Sequence, residues 1–364
     1  TSLLSCVFPM PISSRPYTAV LIVPTGVGAA IGGYAGDALP VARAIAQVAD
    51  TLITHPNVMN GAQLYWPLPN ALYVEGYGLD QFAAGNWGLR PVHRNRIGLL
   101  LDSAVEPPWR YRHLQAADAA RATLGLEMTD YVITDAPVGV TLKTAASGAT
   151  WGTIANPGTL LRAAESLVQL GATAIAIVVR FPDDNDSDSL QNYRQGQGID
   201  PLAGAEAVIS HLLVRQFQVP CAHAPALSPL PLDPTLSPKS AAEEIGHTFL
   251  PCVLAGLSRA PQLVAATTVS GGDIWRDQVD AVIMPAAAFG GSGVLHFSGT
   301  PAQIIAVEEN TTTLAVTPEC LGVRALRVRS YLEAIGAMAA HKAGISAGAI
   351  APKILPLQAA PASD

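Results

Sequence analysis

The stretch VLIVPTGVGAAIGGYAGDAL, residues 20–39, decides the fold. Val20 to Val23 are four apolar residues in a row, mostly β-branched, as in a strand buried on both faces. Gly26, Gly28, Gly32, Gly33 and Gly36 fill the loop that follows, and Asp37 is placed to cap the apolar-periodic segment beyond it. Strand, glycine loop and helix in that order make one βα unit of a parallel sheet.

The same alternation recurs along the chain. Apolar runs predict strands at AVLIVPT (19–25), TLITHPN (51–57), ALYVEG (71–76), RIGLLLD (96–102), YVITDAP (131–137), TAIAIVVRF (173–181), DAVIMPAA (280–287), QIIAVEE (303–309) and ALRVR (325–329). Helical periodicity appears at 36–49, 109–125, 157–171, 201–217, 240–258 and 329–344. Start and stop signals support it: Asn156-Pro157 opens one helix that Gly171 closes, and Lys342 lies in a last turn closed by Gly344. The fold class expected is α/β, with mainly parallel, doubly wound sheets, helices on both faces, and two lobes. The small-residue stretch at 143–158 suggests a boundary, giving an N-terminal α/β lobe over 18–142 and a C-terminal α/β lobe over 151–350. Residues 1–17 and 351–364 are peripheral arms. The polar segment 183–198 and the proline-rich segment 224–240 are long for simple connections and are candidate lids.

Composition narrows the function classes. Apolar residues are 49% and charged residues 13% of the 364, enough to bury a large core. A net charge of −7 without a clustered basic face excludes a nucleic-acid footprint. No apolar run approaches the ~18 residues of a membrane-spanning helix, so no membrane partner is expected. Cys6, Cys221, Cys252 and Cys320 are widely spaced and form no metal motif, which suits reduced thiols and a cytoplasmic setting. Leu3-Leu4-Ser5-Cys6 has the look of a lipobox but no basic leader before it, and is read as part of the N-terminal arm.

The glycine loop does not match a nucleotide fingerprint. Its spacing is Gly26-x-Gly28-x-x-x-Gly32, the second strand ends in His55 and Asn57 rather than an acid, and no Lys-Ser/Thr pair follows. NAD and ATP are therefore disfavoured as cofactors. Backbone N–H groups of such a loop still favour an anion, so Thr25, Gly26, Gly28 and Gly32 are candidate ligand-binding residues, unless the glycines serve only a tight turn.

Polar residues gather at predicted strand ends, where parallel sheets bind ligands. Asn57, Asn60, Arg180 and Asn310 are further ligand-binding candidates, with Gly291 and Ser292 from a second glycine cluster. His55 and His223 are candidates for proton transfer, and His211 for packing or for pairing with Glu206. Glu308 and Glu309 repel one another at a strand end, a strain relieved by a cation, a divalent metal or a shared proton; they point to opposite faces, so one of them is a candidate base or metal ligand and the other a candidate cap or ion-pair partner. Asp184, Asp186 and Asp188 imitate a calcium loop but lack its glycine and final glutamate.

The stretches 52–102 and 288–345, above all THPNVMN (54–60) and VEEN (307–310), resemble a protein family of cyanobacteria and plant plastids catalogued as domain of unknown function 3326. The likeness spans nearly the whole chain. It supplies no activity to carry over and implies a cytoplasmic or plastid stromal setting. The function expected from the residues is an enzyme acting on a small anionic metabolite bearing phosphate or carboxylate, with acid/base or metal-assisted chemistry. The alternatives are a non-catalytic small-molecule binder or sensor, and a scaffold or assembly protein. A homo-oligomer is the expected state.

Overall fold

The computed structural model describes residues 15–60, 67–183, 187–245, 249–268, 270–354 and 356–357. The chain opens with β1 (Thr18–Leu21), α1 (Leu39–Val48), β2 (Thr51–Thr54), α2 (Pro56–Met59), β3 (Ala71–Tyr73), α3 (Gly76–Ala84) and β4 (Trp87–Arg90). Its middle runs through β5 (Arg96–Leu101), α4 (Pro107–Leu124), β6 (Glu127–Ile133), β7 (Val140–Thr144), β8 (Thr150–Ile154), α5 (Pro157–Gln169), β9 (Ala174–Arg180), α6 (Asp188–Arg194), α7 (Ala203–Phe217) and β10 (Cys221–Ala226). It continues with α8 (Pro238–Ile245), α9 (Leu250–Leu257), β11 (Gln262–Ala265), β12 (Val279–Pro285), α10 (Ser292–Phe297), β13 (Gln303–Val307), β14 (Leu326–Val328) and α11 (Tyr331–Lys342).

Two parallel sheets carry the fold, as the recurring βα pattern predicts. One has six strands in the order β14-β13-β12-β1-β2-β3, and the other four in the order β10-β9-β5-β6. All four residues of β1 are buried, and in β9 only Arg180 has appreciable exposure. Both strands therefore lie deep in their sheets, which is why they read as unbroken apolar runs. The larger sheet takes three strands from each end of the described chain, with β1 paired to β12 in parallel (Ala19 opposite Ala281, Val20 opposite Val282). The smaller sheet comes from residues 96–226 alone.

Residues 143–158 carry the end of β7, all of β8 and the start of α5. The β7–β8 hairpin is antiparallel, and a methyl group at Gly152 would stand 2.4 Å from Ala205 Cβ of α7. Small residues are used there because a hairpin lies directly on a helix. The segment 240–258, read as one helix, is α8 and α9, with Pro251 in the first turn of α9, where its missing N–H has no partner to lose. Pro225 in β10 concealed that strand; it is tolerated because β10 lies at the edge of its sheet.

The loop from β1 to α1 depends on glycine most plainly at Gly32, whose φ is +92° and whose added methyl would stand 2.5 Å from Val23 Cγ1. Left-handed strain together with overpacking predicts that Gly32→Ala lowers unfolding free energy by about 2–5 kcal/mol. Urea denaturation measures this. A loss below about 1 kcal/mol would show the loop to be more yielding than described.

Candidate functional site

The carboxyl ends of β1, β2, β3, β9 and β12 open on a cavity of about 910 Å³. The segments after β1 and β2 form one side, α7 and β10 another, and α10 a third. The polar segment beginning at Asp183 and the proline-rich segment after β10 both contribute to its wall. Thr25, Gly26, Gly28, Gly32, His55, Asn57, Asn60, His223, Gly291 and Ser292 all line it, although they come from distant stretches of sequence.

The glycine loop is anchored by side chains of the chain itself. Gly32 N–H donates to Asp37 Oδ1 at 2.6 Å, Ile31 N–H to Asn310 Oδ1 at 2.9 Å, and Ala35 N–H to Glu243 Oε1 at 2.5 Å. Asn57 Nδ2 donates to Val23 O and Gly32 O, and Asn310 Nδ2 to Ile31 O and the Tyr331 hydroxyl. Asp37, expected to cap α1, instead folds back onto the loop; the residue before α1 is Ala38, which makes no side-chain cap. Several N–H groups that a phosphate would use are thus occupied by carboxylate and amide oxygens.

His55 is buried, and its Nε2 accepts the Val23 N–H at 2.9 Å. An accepting Nε2 places the proton of the neutral ring on Nδ1. Burial pushes the imidazole down to about 4, so the ring stays neutral at ordinary pH and braces the loop. That geometry does not suit His55 to shuttle protons near neutrality.

The other two histidines of the cavity lining, His211 and His223, are each held by a carboxylate. His211 Nε2 lies 2.9 Å from Glu75 Oε1, while Glu75 Oε2 accepts the N–H groups of Tyr77 and Gly78 and so caps α3. Burial acts to lower His211, but the bond to Glu75 and the charges of Glu75 and Asp80 raise it above its ordinary value. His223 Nε2 lies 3.3 Å from Glu206 Oε2, and its Nδ1 is 3.2 Å from Ser210 Oγ. The pairing expected between His211 and Glu206 is therefore exchanged: each takes a different partner. Glu206, Ser210 and His211 share the face of α7 that looks into the cavity, together with Ala207. Asp200 and Glu243 also line it; burial first, then neighbouring carboxylates, push them up to about 7 and about 8.

Four of the sequence-predicted residues lie outside the cavity lining. Glu308 pairs with Arg327 at 3.2 Å, and Glu309 Oε1 accepts the Tyr331 N–H at the start of α11. A cation and a helix N-terminus separately absorb the two charges, so neither glutamate is driven into a metal site or toward a base's role. Arg180 is committed to Glu106 and Asp183 and stacks over Trp109 at 4.6 Å. Asn310 acts from behind, on the glycine loop. Of the supposed calcium loop, Asp184 and Asp186 lie outside the described residues, and Asp188 starts α6.

Two parallel sheets sharing one crevice at their strand ends define an α/β protein with a ligand-sized central cavity. The chain belongs to the family described as Protein of unknown function (DUF3326), which matches residues 18–351. It is 64% identical over 338 residues, 93% of this chain and 94% of the relative, to a protein of Synechococcus sp. named as an uncharacterized lipoprotein. No solved structure matches it. The relative's name overturns the cytoplasmic or stromal setting expected from the cysteines. Buried thiols such as Cys221 and Cys252 report packing rather than compartment, and Leu3–Cys6, set aside as an arm, lie outside the described residues. Among the described residues, no helix is long and apolar enough to cross a membrane.

The raised carboxyls give a pH signature. Between the ordinary carboxylate range and their own values, Asp200 and Glu243 hold protons in the folded state that the unfolded chain has released, so stability falls as pH rises. His211 adds the same sign, whereas His55 acts oppositely below its ordinary value and is spent above it. Unfolding midpoints from about pH 6.5 to about pH 8.5 are expected to fall, and Asp200→Asn with Glu243→Gln to remove at least half of the fall. A level wild-type profile would contradict the assignment.

Proposed function

We propose that this protein is an enzyme that binds a small polar molecule in the central cavity and transfers protons to and from it. The observation that carries this reading is the pair of histidine–carboxylate couples, His211–Glu75 and His223–Glu206, facing one cavity, each with one member on α7. A carboxylate beside each ring fixes its orientation and stabilises the imidazolium formed when the ring takes a proton, as general acid–base catalysis requires. Two such couples allow one ring to act as acid and the other as base.

Convergence on one cavity favours this over a scaffold role, for which strand-end polar groups would have no reason to meet. An anionic substrate is less well served, because the chain's own oxygens occupy the amides of Ile31, Gly32 and Ala35. A non-catalytic binder would use the same walls, and the two readings part on whether the ligand changes.

The test is to incubate the purified protein with a metabolite extract of the organism that makes it and follow consumption by mass spectrometry. A consumed metabolite is expected, with turnover reduced about 10²-fold or more in His223→Gln and His211→Gln at unchanged circular dichroism. A metabolite retained but never altered would support the binder. Turnover unaffected by both substitutions would end the proposal.

A further inference from the structure

Resting on that reading of the cavity, we propose that its ligand is an organic cation, a molecule bearing a protonated amine, seated against Asp200, Glu206 and Glu243. Among the described residues the lining holds eight carboxylate side chains and a single guanidinium, Arg194. That guanidinium is spoken for: it pairs with Glu244 at 2.7 Å and donates to Pro231 O. Asp183 is likewise matched by Arg180 outside the wall. Asp200, Glu206 and Glu243 have no Lys or Arg within ion-pair distance among the described residues, although Glu206 faces His223; Glu206 raises the proton affinity of Asp200, and both raise that of Glu243. Like charges held together at a cavity wall are costly unless a cation or proton arrives to meet them.

A second observation comes from the aromatic residues beside them. Tyr34 and Tyr193 stack with centroids 4.4 Å apart and planes 12° from parallel, and the Tyr193 hydroxyl donates to Glu243 Oε1 at 2.5 Å. Tyr34 is 5% exposed, yet its hydroxyl has no hydrogen-bond partner among the described residues. It sits within the influence of Glu243, Asp37 and Asp200. The protein already places one ammonium in this neighbourhood: Lys239 Nζ lies 5.8 Å over the Tyr34 ring and 3.5 Å from Asp37. Tyr193, unlike Tyr34, lines the cavity itself, and carboxylates beside an electron-rich ring are surroundings in which ammonium groups bind well. An anion, by contrast, would meet a carboxylate-rich wall, and the loop amides of Ile31, Gly32 and Ala35 are already engaged.

Titration calorimetry on the full chain tests this with ethanolamine, 1,4-diaminobutane, spermidine, inorganic phosphate and magnesium chloride as separate probes. At least one amine is expected to bind with a stoichiometry of one and at least tenfold more tightly than phosphate. Glu243→Gln and Asp200→Asn, made separately in case one fails to fold, are each expected to weaken that amine at least tenfold. Asp118→Asn, on the outer surface of α4, should leave it unchanged. Tighter binding of phosphate, magnesium binding that no amine displaces, or amine binding indifferent to both substitutions would overturn the proposal. Failure of all three amines to bind would also overturn it, while leaving the proton-transfer reading to its own turnover assay.

Discussion

The backbone between β1 and α1 leaves its sheet with polar groups that neither helix nor strand satisfies, and the rest of the structure is arranged to close them. Buried amides and carbonyls without partners would cost more than the loop could recover by packing. Asp37 comes from the loop's own end, Asn57 from beyond β2, Glu243 from α8 and Asn310 from beyond β13. One short loop therefore ties the two ends of the chain to its middle. The cavity is the space left inside that arrangement.

The strands that place the cavity were legible because they are buried on both faces and read as apolar runs; each of the nine predicted coincides with an observed strand. What escaped notice lacked that signal. β7 and β8 expose much of their length, and in β10 Pro225 interrupts the apolar run though not the strand. In the site, counting strand ends was enough to reach His55, Asn57 and Asn60. Glu206, Ser210 and His211 were hidden because they project from a helix. Their trace was a polar line at helical spacing, Glu206, Ser210 and His211, on a helix whose other buried positions are apolar. Glu308 and Glu309 misled for the opposite reason: adjacent charges look strained until Arg327 and the start of α11 are seen beside them.

The same contacts change the chemistry expected of the loop. Glycine-rich turns before helices invite an anion when their N–H groups are free. Here Gly32, Ile31 and Ala35 already have oxygen partners, and the wall opposite carries histidines and carboxylates. Burial gives Asp200 and Glu243 their affinity for protons, and pairing gives His211 and His223 their orientation. His55, which looked the best candidate for proton transfer, is instead fixed as a neutral ring by the Val23 N–H.

Everything proposed for the site requires that the cavity hold a small molecule. Native mass spectrometry of the protein from its own cells, compared with the same sample after denaturation, addresses it most directly. An excess of roughly a few hundred daltons is expected, which unfolding removes and which Ser210→Trp, projecting a bulky ring into the cavity wall, reduces. A covalent lipid would survive denaturation and so be distinguished. The same mass before and after unfolding, together with an unchanged ligand load in Ser210→Trp, would contradict it.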